Sequence, residues 1–592
     1  MSIPLWTSAY SHAADAAAAP ENGDFPAAAI LPQTASPGSS EAPSGVPCRT
    51  LLSLDQVNLI SADIDPFRKN NLATLSREVR YRITELRIVR QDVFADPQTW
   101  VGRLANRLHA RTRESAIRAA LPFDPNATAT RNELEETERI LRRKPFFYDA
   151  VMLPTELCGD GLKLVLLVRD VWTLNPSLGA SRSGGDNKVN VGLSDVNLLG
   201  SGKALSLEYK SDRDRSGIAL EFRDPNVLNS RWTSRLTAAD NDDGELYVLD
   251  LARPFFSLDS RWATGLRLER FVREKDLEFL GEDLFTLNAE TNLADVFVAS
   301  SSGRRNGWID RRYLGYRIFR EAIDFPSGFP LEPEDADPQR RRYSYPYLRW
   351  SRQQDRFVKR ANIRRVGITE DLQLGWQFDG EVGWAAGWTG SDDEALLARA
   401  RISHQQFLSP RQLLRFDFSF DGRLNLDQNR SEAVRTLFDA SYLLRTAERW
   451  RFFARARYVQ TRNLLPDDQL TLGGEDGGLR GYPSRYQPGD RSYLLTVEQR
   501  YYSKLTLFRL IRIGFAAFAD VGQAWFHDEP PPWVPTRDGD AFDTLANVGL
   551  GLRLESIRTR RDRILHIDVA RPLTEGPGTD DYEITITAKR SF

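Results

Sequence analysis

The sequence is poor in cysteine, in long apolar runs and in net charge. Only two cysteines, Cys48 and Cys158, occur among its 592 residues, which is far too few for a disulfide scaffold. They form no paired CxxC motif, and both a single bridge and two free thiols are compatible with their number. The net charge of -2 gives no field that would attract nucleic acid, so we expect no nucleic-acid partner.

Apolar runs of membrane-helix length are also missing. No stretch approaches the roughly 18 consecutive apolar residues that a spanning helix needs. The longest clean run, at 162–168, suits a buried strand. This excludes helical membrane spans but leaves a membrane barrel open, because barrel strands alternate lipid-facing and lumen-facing residues and keep a low mean hydropathy.

Patterns for catalysis or metal binding are equally scarce. The five histidines are scattered, with no two at ligand spacing: His12, His109, His404, His527 and His566. The sequence has no complete phosphate loop, no G-x-S-x-G elbow and no H-E-x-x-H motif. We therefore expect no enzyme activity, no cofactor and no metal.

The beginning of the chain lacks basic residues. Before Arg49 there is no Lys or Arg, and Ala, Pro, Ser and Gly dominate. Small residues near the start suit cleavage, but the basic n-region of a signal peptide is missing. We expect residues 1–50 to form a flexible segment or the remnant of a targeting region, and residues 51–80 to form a connecting segment.

Helical periodicity is confined to residues 81–176. YRITELRIV predicts a strand and TRESAIRAAL a helix. A second helix follows with Thr130 at its N-cap and Glu133 three residues later, which is the capping-box pattern. Pro145 ends that helix, and two apolar strands follow about a Cys-Gly-Asp-Gly turn. The β-α-α-β-β order predicts a small α+β domain.

Two-residue alternation dominates residues 177–592. In IRIGFAAFADVG one face is apolar from Ile511 to Val521, whereas the other carries Arg512 and Asp520. Polar residues at every second position over many strands suit a water-filled lumen better than a soluble sandwich. Roughly 415 residues at about 26 per strand and connection predict a membrane all-β fold, an antiparallel transmembrane β-barrel of about 16 strands. A large soluble β protein is the alternative.

Alternation also assigns faces to individual residues late in the chain. In TVEQRYY it turns Glu498 towards the lumen, on the same side as Asp520 of the next segment. In the last segment it places Tyr582, Ile584, Ile586, Ala588 and the terminal Phe592 on one face. We expect Tyr582, Ile584, Ile586 and Phe592 to belong to the barrel seam and to its C-terminal signal.

Four stretches occur in an order that is similar to a known family. The 81–176 segment resembles one POTRA domain, and SDVNLLGSGKALSLEY is similar to a D-x-N-L-x-G-x-G entry into a barrel. LRGY, with Arg480, Gly481 and Tyr482, matches a (V/L)-R-G-(F/Y) loop motif. FADVG matches F-x-D-x-G through Phe518, Asp520 and Gly522. Together they resemble the BamA/TamA superfamily of outer-membrane assembly and translocation proteins.

The resemblance implies a site as well as a fold. In that superfamily a periplasmic POTRA region precedes a 16-stranded barrel, and the sixth extracellular loop folds back into the lumen. Its arginine pairs there with acidic residues, so Arg480 would pair with Glu498 and Asp520. The alternative is a set of ordinary lumen charges such as porins have. On the anchored reading, replacing Arg480 should matter more than replacing Arg485.

The resemblance further implies a role and partners. The protein would lie in the bacterial outer membrane, contact its lipid, and insert or translocate unfolded outer-membrane or secreted proteins. Periplasmic accessory proteins are further expected partners. Clients would bind a strand edge of the POTRA-like domain. A seam between a first strand near 188–193 and the last strand at 582–592 would open. A transporter dedicated to one exoprotein and a passive porin or structural barrel are the alternatives.

Overall fold

A computed structural model of the protein describes most of the chain after residue 47. The described residues are 48–52, 71–93, 107, 110–123, 127–330, 340–361, 363, 369–474, 478–507, 511–527, 529–535, 543–556 and 564–589. Residues 1–47, most of the predicted connecting segment and Phe592 lie outside them. Among the described residues, no helix has both the length and the apolar character needed to cross a membrane.

In the part of the chain that the structure describes, a five-stranded sheet with two helices forms the N-terminal domain. Its elements are β1 (Cys48–Thr50), β2 (Arg80–Gln91), α1 (Glu114–Ala119), β3 (Thr128–Thr130), α2 (Arg131–Arg143), β4 (Phe147–Cys158) and β5 (Gly161–Asp170). The strand order is β1-β4-β5-β2-β3, in which β2 and β5 are parallel and the other neighbours antiparallel.

Helix α2 covers one face of this sheet. It begins at Thr130, whose backbone N–H donates to Glu133 Oε2 at 2.6 Å while its hydroxyl oxygen accepts from the Glu133 backbone N–H at 3.3 Å, so the predicted capping box is confirmed. Leu134 and Leu141 are fully buried in one apolar cluster with Leu164 of β5. The apolar stripe of the helix therefore supplies much of the domain core.

The two cysteines are joined at the edge of the sheet. Cys48 of β1 and Cys158 of β4 form a disulfide between residues that pair directly in the antiparallel ladder. The Leu51 N–H continues the pairing with a 2.8 Å bond to the Thr155 carbonyl. The chain before β2 is thereby tied to the outer edge of β4.

Among the described residues, twenty antiparallel strands close into a barrel. The first ten are β6 (Leu174–Ser183), β7 (Asp186–Asp195), β8 (Ala204–Ser211), β9 (Ser216–Asp224), β10 (Thr233–Asn241), β11 (Gly244–Arg253), β12 (Trp262–Phe279), β13 (Glu282–Arg305), β14 (Trp308–Asp324) and β15 (Arg340–Gln354). A separate hairpin, β16 (Phe357–Ala361) and β17 (Thr369–Gln373), then leaves the barrel wall.

The wall resumes after this hairpin. It continues through β18 (Gly375–Ala385), β19 (Ala395–Ser409), β20 (Gln412–Asn425), β21 (Arg430–Arg445) and β22 (Trp450–Arg462). A small pair, β23 (Leu470–Leu472) and β24 (Gln487–Gly489), lies inside the following loop. The last wall strands are β25 (Arg491–Leu507), β26 (Ile511–Trp525), β27 (Leu545–Ser556), β28 (Ile564–Pro572) and β29 (Glu583–Lys589).

The predicted antiparallel barrel is confirmed, but the predicted number of 16 strands is wrong. The described ranges alone form 20 wall strands, beginning with β6. Several hairpins turn in two residues, for example between β6 and β7 and between β12 and β13. The prediction allowed too much chain for each connection and so counted too few strands. The segment 188–193, expected in the first strand, lies in the second, β7.

The N-terminal domain contacts the connections at one end of the barrel, which we call the domain end. Asn197, after β7, donates to the Thr112 hydroxyl at 2.7 Å. Between β11 and β12, the Leu258 N–H donates to the Glu136 carboxylate of α2 at 2.7 Å. We call the opposite end, where β22 leads into the loop of residues 463–490, the loop end.

The β16–β17 hairpin reaches from the domain end to helix α2. Arg142 donates to both carboxylate oxygens of Asp371, at 2.8 and 2.7 Å. Lys359 of the hairpin forms an ion pair with Glu138 of the helix. The Arg139 guanidinium lies 3.8 Å from the centre of the Phe357 ring. These paired and stacked contacts fix the helix against the barrel.

Candidate functional site

The loop of residues 463–490 turns into the barrel rather than away from it. Within it β23 and β24 pair, with Leu470 opposite Gly489 and Leu472 opposite Gln487. Leu479 and Tyr482, near the tip, are fully buried. Residues 475–477 of this loop are outside the described residues.

Arg480 joins the loop to three wall strands. Its Nε and Nη2 donate to the two carboxylate oxygens of Asp520 on β26, at 2.9 and 2.8 Å. Its Nη1 donates to Glu498 Oε1 on β25 at 2.7 Å and lies 3.5 Å from Asp568 Oδ2 on β28. The planar guanidinium suits this bidentate contact, which a lysine ammonium could not reproduce.

An aromatic ring completes the site. The Arg480 guanidinium lies 3.4 Å from the centre of the Phe518 ring, which comes from the same strand as Asp520. Arg480, Glu498 and Asp520 are all largely buried. With water excluded, the ion pairs and the cation–π contact are stronger than at a surface, and losing one member leaves the others uncompensated.

Four further polar residues extend the network, and none of them was predicted to contact Arg480 or its carboxylate partners. Asn547 Nδ2 donates to Asp520 Oδ2 at 2.9 Å, Arg500 Nε to Glu498 Oε2 at 2.7 Å, and Arg553 Nη1 to Asp568 Oδ1 at 2.5 Å. Three arginines and three carboxylates thus balance. Asp568 had a sequence signal, since it lies two residues after His566 on the same face of its strand.

Gly481 and Tyr482 attach the loop to β27 and the connection after β28. The Gly481 N–H donates to Asn547 Oδ1 at 3.3 Å. The Tyr482 hydroxyl lies 2.8 Å from the Ala546 carbonyl and 3.0 Å from the Thr574 carbonyl, either of which accepts its proton. The consecutive residues 480–482 therefore all bind the wall.

Arg485 makes a second attachment on the opposite side of the barrel. Its guanidinium donates to Asp214, between β8 and β9, at 2.7 and 2.9 Å, and forms an ion pair with Glu278 of β12. Its backbone φ of 50° lies in the left-handed region that non-glycine residues seldom adopt. No sequence pattern indicated this contact.

Asp467 makes a third attachment near the beginning of the loop. It accepts from Arg341 Nη2 at 2.5 Å and forms an ion pair with Lys275 of β12. Burial raises the pKa of the Asp467 carboxyl, but the charges of Lys275 and Arg341 outweigh burial and hold that pKa well below its usual range. The carboxyl is therefore ionised throughout the neutral range.

The barrel closes where β29 meets β6, and this junction has the shortest ladder of the wall. A single registered pair, Ile586 with Arg182, joins the two strands among the described residues. Ten registered pairs join β6 to β7, and seven join β28 to β29. We call this junction the seam.

The loop touches both hairpins that flank the seam. The Ser484 N–H donates to the Gly184 carbonyl in the β6–β7 turn at 3.0 Å. The Tyr486 hydroxyl donates to the Pro577 carbonyl between β28 and β29 at 2.8 Å. Gly184 has a φ of 59°, and a Cβ there would collide with Ser484. The loop therefore bridges the two sides of the seam.

The remaining predicted residues lie as follows. Gly522 faces the loop, where a Cβ would lie 3.2 Å from a Leu472 methyl group. Ile584 and Ile586 belong to β29, and Tyr582 immediately precedes it. Tyr582 and Ile584 are exposed on the outside of the barrel. Phe592 falls outside the described residues.

One carboxylate cluster has a spacing that could hold a cation. Asp276, Glu278 and Asp283, at the loop end of β12 and β13, bring their oxygens close together. Arginines already contact two of them, Arg485 at Glu278 and Arg213 at Asp283, the latter at 2.5 Å. Their negative charge is therefore largely offset by the protein itself.

Comparison with known families gives a match that covers most of the barrel. The family described as the Omp85 superfamily domain matches residues 197–587. The chain belongs to the Omp85 superfamily. The resemblance to the BamA/TamA superfamily is thereby confirmed at the level of the superfamily.

This Omp85 barrel also resembles solved structures at a distance. BamA from Haemophilus ducreyi lacking POTRA domains 1–3 is 12% identical, with coverage of 85% of this chain and 83% of that one and a TM-score of 0.38. CdiB from Acinetobacter baumannii is 12% identical, with 86% and 74% coverage and a TM-score of 0.39. CdiB from Escherichia coli is 12% identical, with 90% and 96% coverage and a TM-score of 0.35. No curated protein matches.

Membership of the Omp85 superfamily determines the general role. Its members are transporters and assembly factors of the outer membrane rather than enzymes. The protein is accordingly an outer-membrane β-barrel that acts in protein assembly or translocation. Members handle protein clients, which agrees with the expected class of partner.

Proposed function

We propose that this Omp85 barrel inserts or translocates protein clients by opening at the seam between β6 and β29. The observation that carries the proposal is that the described residues form a single registered pair at that junction, against ten between β6 and β7. Each missing ladder pair removes backbone hydrogen bonds that would resist separation. Exposed strand edges at an open seam would offer a template for a client strand.

The loop of residues 463–490 would control this opening. It is anchored by Arg480 to the strands before the seam and by Ser484 and Tyr486 to the hairpins on both sides of it. Opening at the loop end must break at least one of these contacts. The Arg480 site would thus hold in place the loop that keeps the seam closed.

The N-terminal domain would act as a POTRA-like periplasmic domain that receives clients. Its order of two helices within a mixed sheet supports this assignment. Strand β1 pairs with residues 156–158 of the β4 edge. The rest of that edge is occupied, since Arg142 of α2 donates to the Ala150 carbonyl at 2.9 Å and the Met152 N–H donates to Glu138 at 2.8 Å. On the other side of the sheet β2 pairs with β3 only at residues 80–82, and residues 85–89 have no registered strand partner there among the described residues, so an extended client could pair with them. The domain end of the barrel would then face the periplasm.

A transporter dedicated to one exoprotein is the second candidate, since the same seam and loop could serve it. A passive porin is less well supported, because the buried loop tip and its ion pairs occupy part of the lumen. A census of outer-membrane and secreted proteins after depletion separates these roles. Broad loss indicates assembly, loss of one species indicates dedicated secretion, and no loss with steady ion conductance indicates a porin.

A cross-link across the seam tests the mechanism directly. The double variant Arg182→Cys/Ile586→Cys places cysteines at the one registered pair between β6 and β29. The control, Arg182→Cys/Asn187→Cys, places the same first cysteine opposite its partner within the β6–β7 hairpin. Oxidation should abolish client handling in the seam variant, and reduction should restore it. The control should stay active throughout.

Activity of the oxidised seam variant at the level of its control would refute opening at this seam. The depletion census would be unaffected by that result, because it tests the role and not the route. The cross-link should be verified by its shift on a denaturing gel before activity is measured.

A further inference from the structure

A row of polar side chains crosses the outer face of the barrel on five neighbouring strands. Directly paired residues form it in the order Tyr247, Arg270, Asn292, Arg320 and Arg342, from β11 to β15. They face outwards because they share parity with exposed apolar residues of their strands, such as Leu268 and Leu314. We call this set the outer row.

An apolar surface begins one step towards the domain end. The next outward row of pairs consists of Leu249, Leu268, Ala294, Ile318 and Ser344. The row after it adds Leu251, Leu266, Val296, Tyr316 and Pro346. The outer row therefore marks the border between the lipid-facing surface and the polar ends of the strands, where lipid headgroups lie.

The surface next to the outer row, on the side of the domain end, is concave. A concavity of about 760 Å³ lies on the outside of β9 to β14, with Leu236, Leu268 and Ile318 among its lining residues. Ala238 and Ala294 also line it, and their short side chains account for part of the depression. Arg320 lines the same concavity, so a charged group and an apolar hollow are contiguous.

The cations of the outer row are unequally neutralised. Arg270 forms ion pairs with Glu245 and Glu290, the latter at 3.2 Å. Arg320 and Arg342, which are directly paired and exposed, have no carboxylate partner among the residues that the structure describes. Two like charges directly opposite each other are unfavourable unless an anion lies between them.

Aromatic residues flank the unneutralised pair. Trp388, 72% exposed, lies beside Trp384 with ring centres 5.7 Å apart. Gly390, two residues on, lies against the Arg342 guanidinium. Trp side chains favour the membrane–water interface, which supports the assignment of this level to lipid headgroups.

We propose that Arg320 and Arg342 bind the phosphate of an outer-leaflet lipid whose acyl chain lies in the concavity beneath them. Two guanidiniums can hold phosphate oxygens in a fixed, charge-assisted geometry. Two adjacent cations beside an apolar concavity fit a ligand that carries both an anionic headgroup and an acyl chain. The outward faces of β19 and β20 carry no comparable arginine pair; their residues there include Leu396, Phe418 and Leu424.

Lipid binding to the purified full-length barrel tests this proposal. The probe is bisphosphorylated lipid A in detergent micelles, compared with the same lipid after removal of its phosphates. Arg320→Gln/Arg342→Gln should weaken binding of the phosphorylated lipid about tenfold, equivalent to ~1.4 kcal/mol. Arg312→Gln is the matched control, since Arg312 is exposed on the outer face of the same strand but nearer the domain end.

Three results would overturn the proposal. One is wild-type affinity in Arg320→Gln/Arg342→Gln; another is equal affinity of the wild type for both lipids. Displacement of the lipid by an equal concentration of inorganic phosphate would exclude the acyl contribution. Ala294→Trp, which fills the hollow without changing charge, should weaken binding of both lipids. Gel mobility before and after heating confirms that each variant is folded.

Discussion

Arg480 shows how one side chain can combine three kinds of contact. It makes a bidentate bond to Asp520, an ion pair with Glu498 and a cation–π contact with Phe518. Each contact uses a different property of the guanidinium, namely its planar fork, its charge and its polarisable face. Because the group is buried, its partners depend on it for neutralisation.

Arg480→Ala should lower the free energy of unfolding of the barrel by about 3–5 kcal/mol, because it leaves buried carboxylates unpaired. Arg480→Lys should fall between the wild type and Arg480→Ala, since it restores charge without the bidentate geometry. The temperature at which the folded gel band disappears measures the change. Arg349→Ala, which removes a more exposed pair with Asp379, is the control and should cost ~0–1 kcal/mol.

Equal effects of Arg480→Ala and Arg349→Ala would contradict the anchor. Restoration of stability by Arg480→Lys to the wild-type level would show that charge alone matters.

Arg485 requires a revised expectation, because it has partners of its own in Asp214 and Glu278. Arg485→Ala should free the loop near β8 and β12, with a smaller loss than at Arg480 because Arg485 is more exposed. Hydrogen exchange at the Leu280 N–H, which donates to the Tyr486 carbonyl, reports this release. The effects of the two substitutions should add, since they act on separate partners. Unchanged exchange in Arg485→Ala would remove this second anchor.

At the scale of elements, helix α2 and the β16–β17 hairpin link the domain to the barrel through ion pairs. Arg142 lies at its centre, with bonds to Asp371 and to the Ala150 carbonyl. The hairpin is an excursion from the wall between β15 and β18, and its charges are complementary to those of the helix. The link therefore joins two parts of the chain that are distant in sequence.

Arg142→Ala should weaken the docking of the N-terminal domain by about 3 kcal/mol, because Asp371 would remain buried without its partner. Increased hydrogen exchange in α2 and the hairpin, with unchanged exchange in the wall strands, would measure this. Arg118→Ala on α1, which removes an exposed pair with Glu114, is the control and should change stability by less than ~0.5 kcal/mol. A wild-type exchange pattern in Arg142→Ala would show that apolar contacts suffice for docking.

The disulfide between Cys48 and Cys158 stabilises the edge of the N-terminal sheet at which β1 pairs with β4. It closes a segment of 110 residues, so Cys48→Ser/Cys158→Ser should lower the stability of the domain by ~2–4 kcal/mol. The Leu51 N–H, bonded to Thr155, should exchange faster when the bridge is absent. Unaltered exchange there would show that β1 stays paired without its covalent tie.

At the scale of the whole molecule, the closed barrel gives a simple prediction. Unheated detergent samples should migrate differently from boiled ones on a gel, because a fully hydrogen-bonded barrel resists unfolding by detergent. The Cys48→Ser/Cys158→Ser variant should retain this difference, since the disulfide that it lacks lies outside the barrel. Identical migration of heated and unheated wild-type protein would be incompatible with a closed barrel.

The sequence predicts those parts of the fold in which a residue's position along a strand decides whether its side chain points into or out of the barrel. Two-residue alternation turned Glu498 and Asp520 inwards, and both face Arg480 in the structure. Asp568 follows the same alternation and could have been found in this way. Arg485 could not, because a loop has no period and its partner Asp214 lies in another connection.

The predicted number of strands was wrong for a related reason. Alternation identifies strands but says little about how much chain each turn uses, and two-residue turns such as Gly184–Gly185 leave room for more strands than expected. The β16–β17 hairpin was missed because its partner is helix α2, far away in the sequence. Local patterns therefore predicted the architecture, whereas long-range pairing decided the strand number and the docking of the domain.

The bonds of the loop also constrain the order in which the protein can be built. Arg485 and Asp214 are separated by 271 residues, and Tyr486 and Pro577 by 91 in the other direction along the chain. The loop can reach its final position only after an early hairpin and one of the last connections are both in place. Contacts of such long range form late in folding. Entry of the loop into the lumen would therefore be a closing event in the biogenesis of this barrel, and its protection from protease would mark the moment at which assembly of the barrel itself is complete.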